Sequence, residues 1–189
     1  MTIMTLRMPK AFRCFARDRR GVSAVEFALL APVMITFYLG CVEISDGVAA
    51  DRKVSLTAAA LANLAAQTTT ISTTDMTNIL NAASAIIAPY DASKLTITVT
   101  CLNIDGNKNA TVKWSATQNG TARTTGSTYT FDSSTAALDV ASTQLILAEA
   151  SYAYTPIVGT SISGMVTLSD RMFMSPRITT PDYNGTTCG

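Results

Sequence analysis

The sequence predicts an α+β protein: a long N-terminal helix whose front half crosses a membrane, a second helix, and an antiparallel sheet of about four strands. Three observations predict it. An uncharged run from Phe27 to Val42 follows a cluster of basic residues. Apolar residues then recur at helical spacing to about Gln67, and again between Asp75 and Ala88. From Leu95 onward the period switches to two. Helices first and strands afterwards, without alternation, make an α+β layout with the sheet packed on the rear of the first helix.

Charge placement supports the membrane-crossing front. Residues 1–21 carry Arg7, Lys10, Arg13, Arg17, Arg19 and Arg20 against Asp18 alone, a net +5, while the remainder sums to −4. Val22 to Val42 is 21 residues, about 31 Å as a helix, which matches a hydrocarbon core of about 30 Å. Under the positive-inside rule the basic leader, residues 1–21, stays cytoplasmic and residues 43–189 form an outer domain. Membrane lipid is the first expected partner. Pro32 is expected to bend the span. A basic leader before an acidic domain argues against nucleic acid, which wants a basic folded domain.

Behind the span, Val54, Ala58, Leu61 and Ala65 form a stripe at i, i+4, i+7 and i+11, with Ala50 and Leu64 beside it. Thr68 to Thr74 reads as a connector. In the second helix Met76, Ile79, Leu80, Ala83, Ile86 and Ile87 share one face. Thr74 or Asp75 can cap its start and Pro89 stops it. Leu95, Ile97, Val99 and Cys101 alternate with threonines, and Val112, Trp114 and Ala116 alternate with Thr111, Lys113 and Ser115. Asp105-Gly106-Asn107 is the turn between these two strands. Residues 118–142 read as a loop with a short helix near Ser133–Val140. A third strand covers about Gln144–Tyr154 and a fourth about Met165–Met174, linked through Pro156 and Gly159. The four are expected as a meander, with an irregular tail from Ser175.

Composition excludes much chemistry. There is no histidine, so the usual general base and commonest metal ligand are missing. The four cysteines, Cys14, Cys41, Cys101 and Cys188, fit no zinc spacing. Asp105, Asn107 and Asn109 imitate the opening of a calcium loop, but Ala110 and Ala116 stand where glycine and glutamate are needed. A hairpin turn is the simpler reading. The Asn-x-Thr sequons at Asn109, Asn119 and Asn184 are expected by chance in a threonine-rich chain. Trp114, Tyr129, Tyr152 and Tyr154 read as core residues. No nucleophile–base pair or phosphate loop stands out. The expectation is a non-enzyme with no cofactor and no metal.

The stretch Arg19-Arg20-Gly21-Val22-Ser23-Ala24-Val25-Glu26-Phe27-Ala28-Leu29-Leu30-Ala31-Pro32-Val33 resembles a type IV prepilin signal. It is similar to the TadE-like pseudopilins of tight-adherence (Tad/Flp) pilus systems, over about residues 20–62. In that family a prepilin peptidase cuts after the glycine, and glutamate is the fifth residue of the mature chain. Gly21 and Glu26 hold that spacing, and Phe27 supplies the aromatic usual after the glutamate. The resemblance implies a pilin-like fold, cleavage between Gly21 and Val22, and subunit assembly through Glu26 and Phe27. It implies a minor pilin or pseudopilin that assists pilus assembly. Its partners would be a prepilin peptidase, other minor pilins and the major pilin. Its place would be the bacterial inner membrane, crossed once, with the outer domain periplasmic or extracellular and the chain retained there or built into the pilus.

Physical chemistry marks Glu26 independently. A carboxylate one turn into a membrane helix is costly unless paired. Cleavage before Val22 would free an α-amine that is largely cationic at neutral pH, and the resemblance implies that Glu26 meets such an amine on a neighbouring subunit. The bland alternative is a helix-start glutamate at headgroup level, favoured by the helix dipole.

Cys101 and Cys188 are the only cysteines expected in the outer domain, where oxidation is permitted. A bridge between them would close a loop of about 87 residues and contribute about 4–5 kcal/mol on the chain-entropy model. The competing reading is a buried free Cys101 and a loose Cys188. Three other readings of the whole chain stay open. One is a membrane-anchored extracytoplasmic binding or adhesion domain that joins no fibre. Another is a secreted enzyme. The third is a cleaved secretory signal, whose best site, Gly47-Val48-Ala49, is spoiled by Glu43 and Asp46 just before it.

Overall fold

The computed structural model describes residues 20–156, 164–177 and 180–189. The basic leader before Arg20, with Cys14, and the expected link through Gly159 lie outside the described residues. The chain divides into two compact units, residues 1–42 and 43–189.

Helix α1, Arg20–Gln67, runs unbroken through Pro32. Within residues 21–42 the side chains are exposed almost throughout, and this stretch lies in the segment long and apolar enough to cross a membrane. The hydroxyl of Thr36 donates to the carbonyl of Pro32 at 2.8 Å, so this polar group is satisfied inside its own helix, as an apolar medium requires.

The second unit is built on the rear of α1. Ala50, Val54, Ala58, Leu61 and Ala65 are buried, as the stripe predicts. Leu64 departs from the expectation: it faces out, and Ala62 and Ala66 are buried instead. The alanines let neighbouring backbone approach closely, while Val54 and Leu61 supply the bulk, each contributing about 1.5–3 kcal/mol on burial. Thr57, fully buried, satisfies its hydroxyl on the carbonyl of Lys53. Strand β1, Thr70–Ile71, interrupts the connector to helix α2, Thr73–Ile87. The cap of α2 is Ser72, not Thr74 or Asp75. Ser72 Oγ accepts from the Asp75 amide, and Asp75 reaches back to the Ser72 amide, a capping box. Met76, Ile79, Leu80, Ala83 and Ile87 are buried as expected.

The four expected strands are β2, Leu95–Ile104; β3, Ala110–Gln118; β5, Thr143–Tyr154; and β6, Val166–Met174. A fifth, β4, Thr128–Tyr129, joins the edge of β3. The sheet is antiparallel in the order β4-β3-β2-β5-β6. It is not a meander, because β5 crosses over to pair with β2. The physical reason is burial on both faces: β2 carries buried residues on each side at Thr100, Cys101 and Leu102, so it belongs in the centre.

A register shift between Cys101 and Leu102 also overturns an expected alternation. Cys101 pairs with Trp114 while Leu102 pairs with Val112, which leaves Lys113 as an extra residue. This bulge turns Val112 to the opposite face from Trp114 and Ala116. The result is a core on each side of the sheet. The larger one joins α1 and α2 to residues such as Val99, Trp114, Ile146 and Ala148. The smaller one gathers Leu102, Ile104, Val112, Tyr129, Leu145 and Leu147, beneath the 119–142 excursion, with Phe131 and Phe173 stacked edge-on to Tyr129. The excursion holds a single 3-10 turn, Ala136–Leu138.

The tail is more ordered than the sequence suggests. Strands β7, Asp182–Tyr183, and β8, Thr186–Thr187, form a small sheet with β1. The Arg177 amide donates to the Ala66 carbonyl at the end of α1.

Candidate functional site

The residues singled out from the sequence fall into two places. Gly21, Val22, Glu26 and Phe27 lie on the first two turns of α1, all exposed. Val22 and Glu26 are four residues apart, hence on one face and about 6 Å apart along the axis. A β-carbon at Gly21 would meet nothing within 4 Å, and its φ is not in the left-handed region. Neither packing nor backbone conformation within this chain therefore requires glycine there.

Cys101 and Cys188 lie in the larger core, both fully buried and joined as a disulfide with Cα atoms 5.8 Å apart. The bridge carries the tail under β2 and β3. There Trp114 Nε1 donates to the Pro181 carbonyl at 3.4 Å, and the Trp114 and Tyr183 rings sit 5.5 Å apart. Cys41 is free and exposed near the end of the apolar run. The Asp105 carboxylate accepts from the Asn107 and Asn109 amides and from the Asn109 side chain. It is a turn-former whose oxygens are already engaged, as the hairpin reading expects. Among the described residues no three ligating side chains gather as a metal site would need.

Two arrangements were not foreseen. The first is a clasp at the start of the second unit. The Tyr90 hydroxyl donates to Asp46 Oδ1 at 2.9 Å, and the Tyr154 hydroxyl donates to Asp46 Oδ2 at 3.0 Å. Burial, and then the neighbouring carboxylate, push both phenols up to about 12. Asp46 reads in the sequence only as a polar helix position. Its partners lie 44 and 108 residues away, so no local pattern announces them.

The second lies on the sheet face turned away from the helices. Arg123 forks onto Glu149 with contacts of 2.8 Å from Nη2 to each carboxylate oxygen and 3.2 Å from Nε, and its guanidinium stacks 5.2 Å from the centre of the Tyr129 ring. Arg171 pairs with Asp132. Hydrogen bonds from Ser134, then Arg171 and Thr135, hold the Asp132 carboxyl well below the usual range. Beside these pairs runs an open groove of about 480 Å³ lined by Thr96, Thr98, Glu149, Ser151, Ser169 and Arg171. The network ties the 119–142 excursion onto β5 and β6.

Residues 21–63 match the family model described as TadE-like protein. The chain carries a TadE-like region. The match begins at Gly21, runs through the apolar segment and ends inside the buried rear of α1. A TadE-like region points to a protein associated with a tight-adherence pilus system. No curated protein and no solved structure matches the chain.

Proposed function

We propose that the chain is a minor pilin or pseudopilin that assists assembly of a Tad-type pilus. A prepilin peptidase would trim it after Gly21, and it would assemble through the front of α1. The observation that carries this reading is the TadE-like match over residues 21–63, which opens on an exposed apolar helix with a lone carboxylate one turn inside. Gly21 supports the same reading. The fold leaves room for any side chain there, so the constraint that selects glycine is an external one, such as a peptidase that must approach the backbone closely. Glu26, exposed and one turn beyond Val22, would receive the α-amine of a neighbouring subunit. The protein acts by assembly and not by catalysis. Its N-terminus is cytoplasmic, its outer domain lies beyond the bacterial inner membrane, and its partners are the peptidase and the other pilins.

Sequencing the N-terminus of protein taken from the envelope tests this. Val22 as the first residue is expected, and Gly21→Trp should leave a larger, uncut form. A mature chain that begins at Met1, or normal trimming of Gly21→Trp, would overturn it. The second reading, an anchored outer domain that joins no fibre, is favoured by the open polar groove over β2, β5 and β6. It predicts an intact N-terminus.

A further inference from the structure

Apolar exposure in the outer domain is unevenly placed. Among its described residues, seven large apolar side chains stand exposed: Ile44, Val48, Leu56, Leu64, Val140, Met165 and Val166. Four of them lie at the level of the Asp46 clasp. Ile44 (70% exposed) and Val48 (48%) lie one turn apart on the face of α1 opposite Asp46. Val166 (40%) is the register partner of Tyr154, whose hydroxyl holds Asp46, and Met165 (66%) precedes it. The Tyr154 ring lies 3.7 Å from where a β-carbon on Gly47 would sit, so strand ends and helix meet at this level. Exposed Lys94 stands at the rim, its Nζ 3.5 Å from Thr155 Oγ1. Apolar side chains, tyrosines and a lysine on a long stem form the composition of a membrane–water interface.

Position along the chain says what covers the patch. Asp46 follows Val42 by four residues of the same helix, a rise of about 6 Å. A bilayer about 40–45 Å thick with a core of about 30 Å leaves about 5–7 Å of headgroup layer on each side. We infer that Ile44, Met165 and Val166 rest in the headgroup layer of the bilayer that α1 crosses, with Val48 at its outer edge and Lys94 toward the lipid phosphates. This deepens the proposed function and rests on its membrane-spanning reading. The clasp then holds the strand ends against the helix so that a lip of apolar side chains meets lipid at one level on both sides of α1.

The test uses the full chain in nanodiscs of phosphatidylethanolamine and phosphatidylglycerol. An environment-sensitive fluorophore is placed at Met165→Cys, or at Val140→Cys as the control, with Cys14→Ser and Cys41→Ser in both. Val140 accepts the Thr143 side chain on its carbonyl, and Thr143 pairs with Ile104, at the opposite end of β2 from Leu95. Spin labels are carried on the lipid headgroup or deep in the acyl chain. The label at 165 should be quenched several-fold more by headgroup spin labels than the label at 140. Equal quenching at 165 and 140 would overturn the inference. So would a label at 165 that is shielded from water yet insensitive to either lipid, which would assign the patch to a protein neighbour. A label on native Cys41, with Cys14→Ser, separates the two levels. Strong quenching there by deep labels with none at 165 rejects the lip alone. No quenching at Cys41 rejects the spanning reading and the lip with it.

Discussion

Tyr154 donates a hydrogen bond to Asp46 at 3.0 Å across 108 residues of sequence. Tyr90 takes the other carboxylate oxygen, so one aspartate ties the end of β5 and the segment after α2 to a single turn of α1. The bond has a pH signature. Both phenols titrate near 12 in the folded chain, against about 10 unfolded. A raised folded value means the stabilisation is complete below about pH 10 and is lost as pH rises through the folded value. Denaturant titrations between about pH 8 and 12 should show this contribution level up to about pH 10 and falling above it. Tyr90→Phe with Tyr154→Phe should be less stable at neutral pH and should flatten the fall. A double variant with an unchanged alkaline slope would mean the clasp does not carry it.

The bridge makes a second prediction. Cys101→Ser with Cys188→Ser should lower stability by about 4 kcal/mol, read by thermal or denaturant unfolding, and should loosen the tail first. Hydrogen exchange at Asp182–Tyr183 and Thr186–Thr187 would report that loosening. Non-reduced peptide mapping should find this link and no other between those two positions.

Glu26 supplies a third. Glu26→Ala makes the helix front more apolar, so insertion should be at least as efficient as in the native chain. Assembly with partner subunits should nonetheless fall, measured as co-purification from envelopes or as surface pilus output. Normal output from Glu26→Ala would leave only the headgroup reading of that residue.

The capping box gives the fourth. Ser72→Ala removes an N-cap and should cost about 1 kcal/mol. Thr74→Ala, one position into α2, should cost much less. Equal losses would mean the cap has been placed wrongly.

That last contrast also shows where sequence reading ran out. Helical stripes placed α1 to Gln67 and α2 to within two residues, because burying one face of a helix demands a long, redundant pattern. Cys101 was legible for the same reason, in phase with Leu95, Ile97 and Val99. Single residues were not. Thr74 and Asp75 were the two candidates for the start of α2, and neither is the cap, which only the Ser72–Asp75 geometry reveals. The bulge at Lys113 is one residue in a run that otherwise alternates, so Val112 looked in phase with Trp114. Strand order was hidden because pairing is non-local, and a period of two says that a strand has a buried face, not which neighbour covers its edge. At the N-terminus, the candidate roles of Gly21, Val22, Glu26 and Phe27 come from a resemblance over the whole stretch, because a glycine five residues before a glutamate says little alone. The clasp joins polar groups too far apart in the chain for any pattern to link them.

The crossover that places β2 in the middle of the sheet also sets an order of arrival for an emerging chain. The central strand comes first, β3 settles on one of its flanks, and β4 extends that flank. β5 and then β6 build the other flank outward. Each newcomer meets an open border, and none must wedge between two strands already joined. The growing domain keeps two borders ready until its final segment, the β7–β8 tail, is threaded beside β1 and bolted at Cys188. A chain stalled after β3 would expose the bare flank of β2, a ready template for a wrong partner. Quality control of the emerging chain would therefore act most usefully between the emergence of β3 and that of β5.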